Sequence, residues 1–247
     1  MIPVLIVPIL NRWDLAERLL ASLDIPVERV VVVDNGCSGR TIGGATHYIR
    51  PMLNLGFAGS INAAIAQTPE ASWWMWAGAD VTFGAGDLSN IEHLLRPGPC
   101  LVTGDRKDER LLRFAYAALN RECVEAVGLL DEWTFYPAYF DDDDYEYRCR
   151  QGGVEWIEFN GGISHERSAT IRSSPILEQE NSRTFPLNRD RYIAKWGGPP
   201  GGERYSRPWD KPVPLSYTPP DIVGRASRIW RRLPVSPAGS DARRPRS

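Results

Sequence analysis

The chain has 247 residues, 43% hydrophobic and 24% charged, enough apolar material for one good-sized core with at most a small appendage. A net charge of -2 provides no overall pull toward nucleic acid or membrane. Cys37, Cys100, Cys123 and Cys149 are widely spaced without a CxxC or Cys/His cluster, which argues for free thiols in a reducing, cytoplasmic compartment rather than a disulfide framework.

The opening stretch MIPVLIVPILNRWD is too short an apolar run to span a bilayer, and no basic segment precedes it. The expectation is a chain that begins directly with folded structure and is not exported. Pro3 to Pro8 reads as a buried strand, and Leu15, Leu19, Leu20 and Leu23 recur at helical spacing behind Asp14 as cap. Arg29 to Val33 is a continuous apolar strand ending at Asp34-Asn35-Gly36, the pattern of a parallel sheet covered on both faces. Ala58 to Gln67 predicts a small-residue helix, Trp73 to Ala77 a central strand whose tryptophans are core, and Asp87 to Leu95 another helix. Phe114 to Leu119 predicts a strand, Arg121 to Val127 a helix stopped by Gly128, and Val154 to Phe159 a strand.

This alternation points to a doubly wound α/β fold, in which ligands bind beyond the carboxyl ends of the strands. Asn11, Asp34 and Asp80 each fall just after a predicted strand. From about Arg189 the chain becomes rich in proline and glycine, so the expected division is one domain over 1–188 and an extension over 189–247. The extension ends in a basic stretch with seven arginines against two aspartates from Asp221 onward. Ile222, Ala226, Ile229 and Leu233 have helical spacing there, which suits either a helix packed on its own domain or one lying peripherally on an anionic membrane.

Tyr139 to Arg150 reads YFDDDDYEYRCR. One account is local: Asp141 caps a helix, Phe140 and Tyr145 form a staple, Asp144 closes a capping box, and Asp144 with Arg148 and Glu146 with Arg150 make i,i+4 pairs on a solvated face. It leaves Asp142 and Asp143 unexplained. The other account is functional, because carboxylates crowded into one turn repel each other unless a cation or a substrate hydroxyl sits among them.

Taken together, VPILNR, VVVDNG, NLGFAGSIN, AGAD, GLLDE and the acidic run, in this order, resemble the family 2 glycosyltransferases of GT-A fold. The resemblance covers Pro3 to about Thr170 and is nearest to the bacterial rhamnosyltransferase and galactofuranosyltransferase branches. It implies a GT-A fold and transfer of a sugar, with inversion, from a nucleoside diphosphate donor (UDP-, dTDP- or GDP-linked) to an acceptor hydroxyl. The acceptor class stays open among glycan, lipid-linked glycan, protein and modified nucleic acid.

The resemblance assigns Pro8, Asn11, Arg12 and Asp34 to the nucleotide, and Asn54, Gly56 and Asn62 to the segment beneath nucleotide and sugar. A carboxylate such as Asp34 can accept a base N–H or a ribose hydroxyl, and a solvated turn Asp is the alternative. Asp80 matches the last acid of the D-x-D motif, with Gly78 in place of the first, and His165 would complete a Mn2+ or Mg2+ site. Asp142 matches the general base. Trp133 and Tyr136, with Phe135 and Tyr139, are placed either to stack on an acceptor sugar or to pack, and Asp141 stands beside the acceptor in the same motif.

Two other enzyme classes fit poorly. A nucleotidyltransferase would carry a Gly-rich, Arg-containing loop where PILNRWD stands, and a dinucleotide oxidoreductase would carry GxGxxG. The non-enzyme alternative is a GT-A domain that binds a glycan or nucleotide sugar without turning it over, which the loss of the first acid at Gly78 would suit.

Overall fold

The computed structural model describes residues 1–104 and 114–210, and the backbone of a two-residue strand, Ser236–Pro237. The basic helix expected near the C-terminus lies outside the described residues.

The first β-branched run forms β1 (Ile2–Ile9) and the valine run β2 (Val27–Asp34). Side chains alternate across the sheet: Leu5, Val7, Val30 and Val32 enter one core cluster, Val4, Ile6, Val31 and Val33 the other. A strand with both faces buried has no place for a polar residue, so the alternation is invisible in the sequence. Helix α1 (Trp13–Ala21) starts behind Arg12, and Asp14 is not its cap. Its carboxylate instead takes two bonds from Arg12, at 2.8 and 2.6 Å.

The chain continues through β3 (His47–Ile49), α2 (Gly56–Gln67), β4 (Trp73–Ala77), β5 (Val81–Thr82), α3 (Asp87–Leu94), β6 (Cys100–Thr103) and β7 (Tyr116–Asn120). It then forms α4 (Arg121–Val127), α5 (Asp141–Gln151), β8 (Glu155–Glu158), β9 (Ser164–His165), α6 (Ala169–Arg172), α7 (Pro175–Trp196) and β10 (Ser236–Pro237). Trp74 and Trp76 of β4 are core, as expected.

The main sheet runs β10-β3-β2-β1-β4-β7-β6-β8. Pairs β3-β2, β2-β1, β1-β4 and β6-β8 are parallel, whereas β7 is antiparallel to both neighbours and β10 to β3. From β1 the chain builds outward to β2 and β3, then crosses to β4 on the other side. The order therefore reverses between β1 and β4, and a crevice opens at their carboxyl ends.

Three corrections concern the acidic helix. Asp141 is its first helical residue, preceded by Phe140 in the left-handed region (φ 66), and no side chain caps it. Phe140 packs with Phe135, Tyr192 and Trp196, whereas Tyr145 enters the main core, so the expected staple does not form. The i,i+4 pairs Asp144–Arg148 (2.9 Å) and Glu146–Arg150 (3.4 Å) are present, yet the face is not solvated. Asp144 and Glu146 are buried, and Arg148 donates to the carbonyls of Val127 and Leu129 at the end of α4.

Helix α7, unforeseen from sequence, runs through Pro186 and across the boundary expected at residue 188, which therefore falls inside a helix. Its end is held by Asp144, whose Oδ1 accepts from Trp196 Nε1 (2.8 Å) and pairs with Lys195 Nζ (2.5 Å). Lys195 also bonds Asp131 (2.8 Å) and is buried. Removing one partner of such a network leaves buried charge uncompensated. Lys195→Met is expected to cost about 3–5 kcal/mol, seen as a fall in the urea midpoint, and adding Asp131→Asn should recover part of it.

Candidate active site

A cavity of about 290 Å³ occupies the crevice. The end of β1 contributes Pro8, Ile9 and Leu10, the end of β2 Asn35, and the end of β4 Gly78, Ala79 and Asp80. Asn54 and Gly56 come from the start of α2. The loop before α5 brings Pro137, Ala138 and Tyr139, and α5 brings Asp141 and Asp142. His165, Ser168 and Thr170 line it as well, and α7 supplies Leu177, Glu180 and Asn181.

Asp80 follows β4, and the antiparallel pairing of β5 with β9 aligns Val81 with His165. That register sets His165 Nε2 3.2 Å from Asp80 Oδ1. Burial raises the Asp80 pKa, but the hydrogen bond and charge of His165 and the Ala169 amide outweigh it, and the net direction is down. Asp80 is thus held as an anion.

Two ligand atoms each about 2.1 Å from one ion and at right angles stand about 3 Å apart. The spacing of Asp80 and His165 fits that, so the pair can hold a hard divalent cation. Among the described residues no cluster of three His, Cys, Asp or Glu side chains forms a metal site. The remaining ligands would come from a diphosphate and water, as is usual for Mg2+. A side chain at Gly78 would place Cβ 3.0 Å from Asp80 Oδ1. A side chain there would need the Asp80 carboxylate to give by a few tenths of an ångström, so the place of the missing first acid is tight against the Asp80 side chain.

Across the cavity, Tyr139 (φ 72) and Phe140 (φ 66) are consecutive left-handed residues, a backbone conformation that only surrounding contacts can hold. Asn188 Nδ2 of α7 donates to the carbonyls of Ala138 (2.9 Å) and Tyr136 (3.2 Å) and fixes this turn. The turn delivers Asp141 and Asp142 to the cavity. Asp141 is buried, its Oδ2 has no hydrogen-bond partner, and burial together with the charge of Asp142 pushes its pKa well up. Asp142 is half-buried, and burial raises its pKa too, against the pull of backbone amides.

Of the residues expected from sequence, Pro8, Asn54, Gly56, Asp80, Asp141, Asp142 and His165 come together here. At Gly56 (φ 72) a Cβ would lie 2.5 Å from the Pro137 carbonyl, so glycine is required where α2 meets the acidic loop. Others stand apart. Asp34 is fully buried and accepts from the amides of Gly39 (2.9 Å) and Ser38 (3.2 Å), shaping its own loop while its neighbour Asn35 lines the cavity. Asn62 is consumed by Leu130 and Glu132, a tie between α2 and the loop after α4. Arg12 pairs with Asp14, and Asn11 donates to Ser173 Oγ (2.8 Å) ahead of α7.

Trp133 is exposed and does not line the cavity, nor does Tyr136, whose hydroxyl donates to the Asn54 carbonyl. Phe135 is core. Sequence reasoning missed Leu177, Glu180 and Asn181. Their i, i+3, i+4 spacing was a readable signal, masked by its polarity.

The chain matches no family model and no curated protein sequence. Among solved structures, the mannosyltransferase PcManGT from Pyrobaculum calidifontis, in complex with GDP-Man and Mn2+, is similar with a TM-score of 0.50 at 19% identity, covering 76% of this chain and 73% of that one. TarS of S. aureus is similar with a TM-score of 0.51 at 12% identity over 78% of this chain, which spans 44% of TarS. The fold is the GT-A fold.

The Asp141 pKa has a consequence for stability. A carboxyl whose folded pKa lies above its unfolded value loses stability as pH rises from about 4, and the loss is absent below that, where both states are protonated. Asp141→Asn should therefore raise the melting temperature at pH 7, by about 2–4 °C per kcal/mol recovered, with the gain vanishing as pH falls toward 4. Calorimetry across that range checks it.

Proposed function

We propose that the chain is a metal-dependent, inverting glycosyltransferase of family 2 type, similar to the rhamnosyltransferase and galactofuranosyltransferase branches, acting on a nucleoside diphosphate sugar. The observation that carries this reading is the joint presence of the Asp80–His165 pair and the Asp141–Asp142 pair in one cavity of a GT-A fold. The complex of the similar mannosyltransferase with GDP-Man and Mn2+ supports both a nucleotide sugar and a cation.

On this reading the nucleotide lies along Pro8–Leu10 and Asn35, and the diphosphate reaches Asp80 and His165. Asp80 and His165 would hold Mn2+ or Mg2+ there, which would supply positive charge to offset that of the departing diphosphate. Asp142 takes the proton of the acceptor hydroxyl as its oxygen bonds to the anomeric carbon, and the bond from that carbon to the diphosphate oxygen breaks on the opposite face. The raised Asp142 pKa makes it a stronger base than an ordinary aspartate. Ser168 and Thr170, both lining the cavity, offer hydroxyls to phosphate oxygens.

The test is transfer and release of nucleoside diphosphate from UDP-, GDP- and dTDP-sugars, with and without Mn2+. Chelation should abolish release, His165→Ala should sharply raise the Mn2+ requirement, and Asp142→Asn should lower turnover by about 10²–10⁴-fold with donor binding kept. Activity should fall on acidification as Asp142 protonates, from a higher pH than an ordinary aspartate would show. Donor binding without turnover in every combination would favour instead a nucleotide-sugar binding module, the reading to which Gly78 lends support.

A further inference from the structure

Helix α7 presents an inward stripe at 177, 180, 181, 184, 188, 192 and 195, the spacing of a core-facing helix. Toward the C-terminal end the stripe is spent on packing: Tyr192 and Trp196 are buried, and Lys195 and Asn188 are engaged by α5 and its preceding loop. Toward the N-terminal end the stripe carries Glu180, Asn181 and Thr184, where a helix that only packed would carry apolar residues. Glu180 and Asn181 line the cavity, and their side chains take no hydrogen bond from any described residue.

We infer that Glu180 and Asn181 are the acceptor-recognising residues of the site, and that they hold neighbouring hydroxyls of an uncharged sugar; this rests on the glycosyltransferase reading above. Their position on the Asp142 side follows from the contacts of α7. Phe185, one turn on, packs against Tyr139 (5.3 Å between ring centres) and Phe140 (5.2 Å), and Asn188 holds the carbonyl groups of the same loop. A carboxylate accepts two hydroxyl protons and an amide offers both donor and acceptor, which suits a vicinal diol. Leu177 and Tyr139, lining the cavity beside them, provide apolar surface for the C–H face of a ring.

Charge sets the class of acceptor. Asp80, Asp142 and Glu180 bring carboxylates to the cavity beside Asp141, which is held toward its protonated form, and among the described lining residues there is no Lys or Arg. A diphosphate can enter with its own cation, but an acceptor bearing phosphate or carboxylate near the reacting hydroxyl would meet uncompensated negative charge. Of the acceptor classes open from sequence, an uncharged glycan presents the neighbouring hydroxyls that Glu180 and Asn181 suit.

The experiment is calorimetric titration of the full chain with Mn2+ and UDP, GDP or dTDP, using the methyl glycosides of glucose, galactose, mannose and rhamnose and, as the anionic counterpart, methyl glucuronide. The expected result is binding of at least one neutral glycoside and exclusion of the glucuronide. Glu180→Ala or Asn181→Ala should weaken that neutral glycoside by at least about tenfold, with melting temperature and nucleotide binding as controls for folding. Neutral glycosides bound equally by the variants, no neutral glycoside bound by a wild type that binds nucleotide, or preference for the glucuronide would each overturn the inference. A wild type that binds no nucleotide with Mn2+ overturns the glycosyltransferase reading, and this inference with it.

Discussion

The cavity depends on one buried charge cluster, formed where Asp144 of α5 meets Arg148, Lys195 and Trp196. A carboxylate with no solvent exposure is tolerable only with partners of this kind. Because two of those partners lie at the end of α7, satisfying Asp144 also fixes the direction of a helix of 22 residues. Asn188, on the same helix, then holds the carbonyl groups of a loop with two successive left-handed residues, and that loop aims Asp141 and Asp142. The conformation of that turn is therefore a product of packing from outside its own segment.

The carboxylates of the cavity divide by environment. Asp80 faces an imidazole and is kept ionised, the state suited to a cation ligand. Asp141 and Asp142 sit where burial opposes ionisation, and the charge of Asp142 adds to the effect at Asp141. Groups of one chemical type, pushed in opposite directions, can serve opposite tasks in the same space. The division also explains why the acidic run does not collapse its own helix: Asp144 is neutralised by cations, and Asp141 is held toward its protonated form.

Much of the β1–β4 half was legible in the sequence. VVVV without alternation, WWMWA ahead of Gly78, and the small residues of α2 are local patterns whose cause, burial on both sides of a parallel sheet, acts at every position. Of the three residues that the same pattern placed after strands, Asn11, Asp34 and Asp80, Asp80 lines the cavity and the other two stand apart from it. Helix α7 did not, because Pro186 removes a backbone donor from its interior and its inward stripe is polar. Only contacts with α5 and with the loop before it make that helix worthwhile.

The sequence by itself determined the α/β class and the main strands and helices through α4, apart from β3, β5 and β6, since these follow from short-range periodicity and turn chemistry; the reversal at which a ligand can bind came from the sheet order. Tertiary structure decided which acids are buried, which are paired and which face the cavity. YFDDDDYEYRCR carries four chemically identical side chains in one turn, and nothing local separates them. The separation comes from Lys195 and Trp196 on one side and the open cavity on the other, and their distance from the run in sequence hides it until the chain is folded.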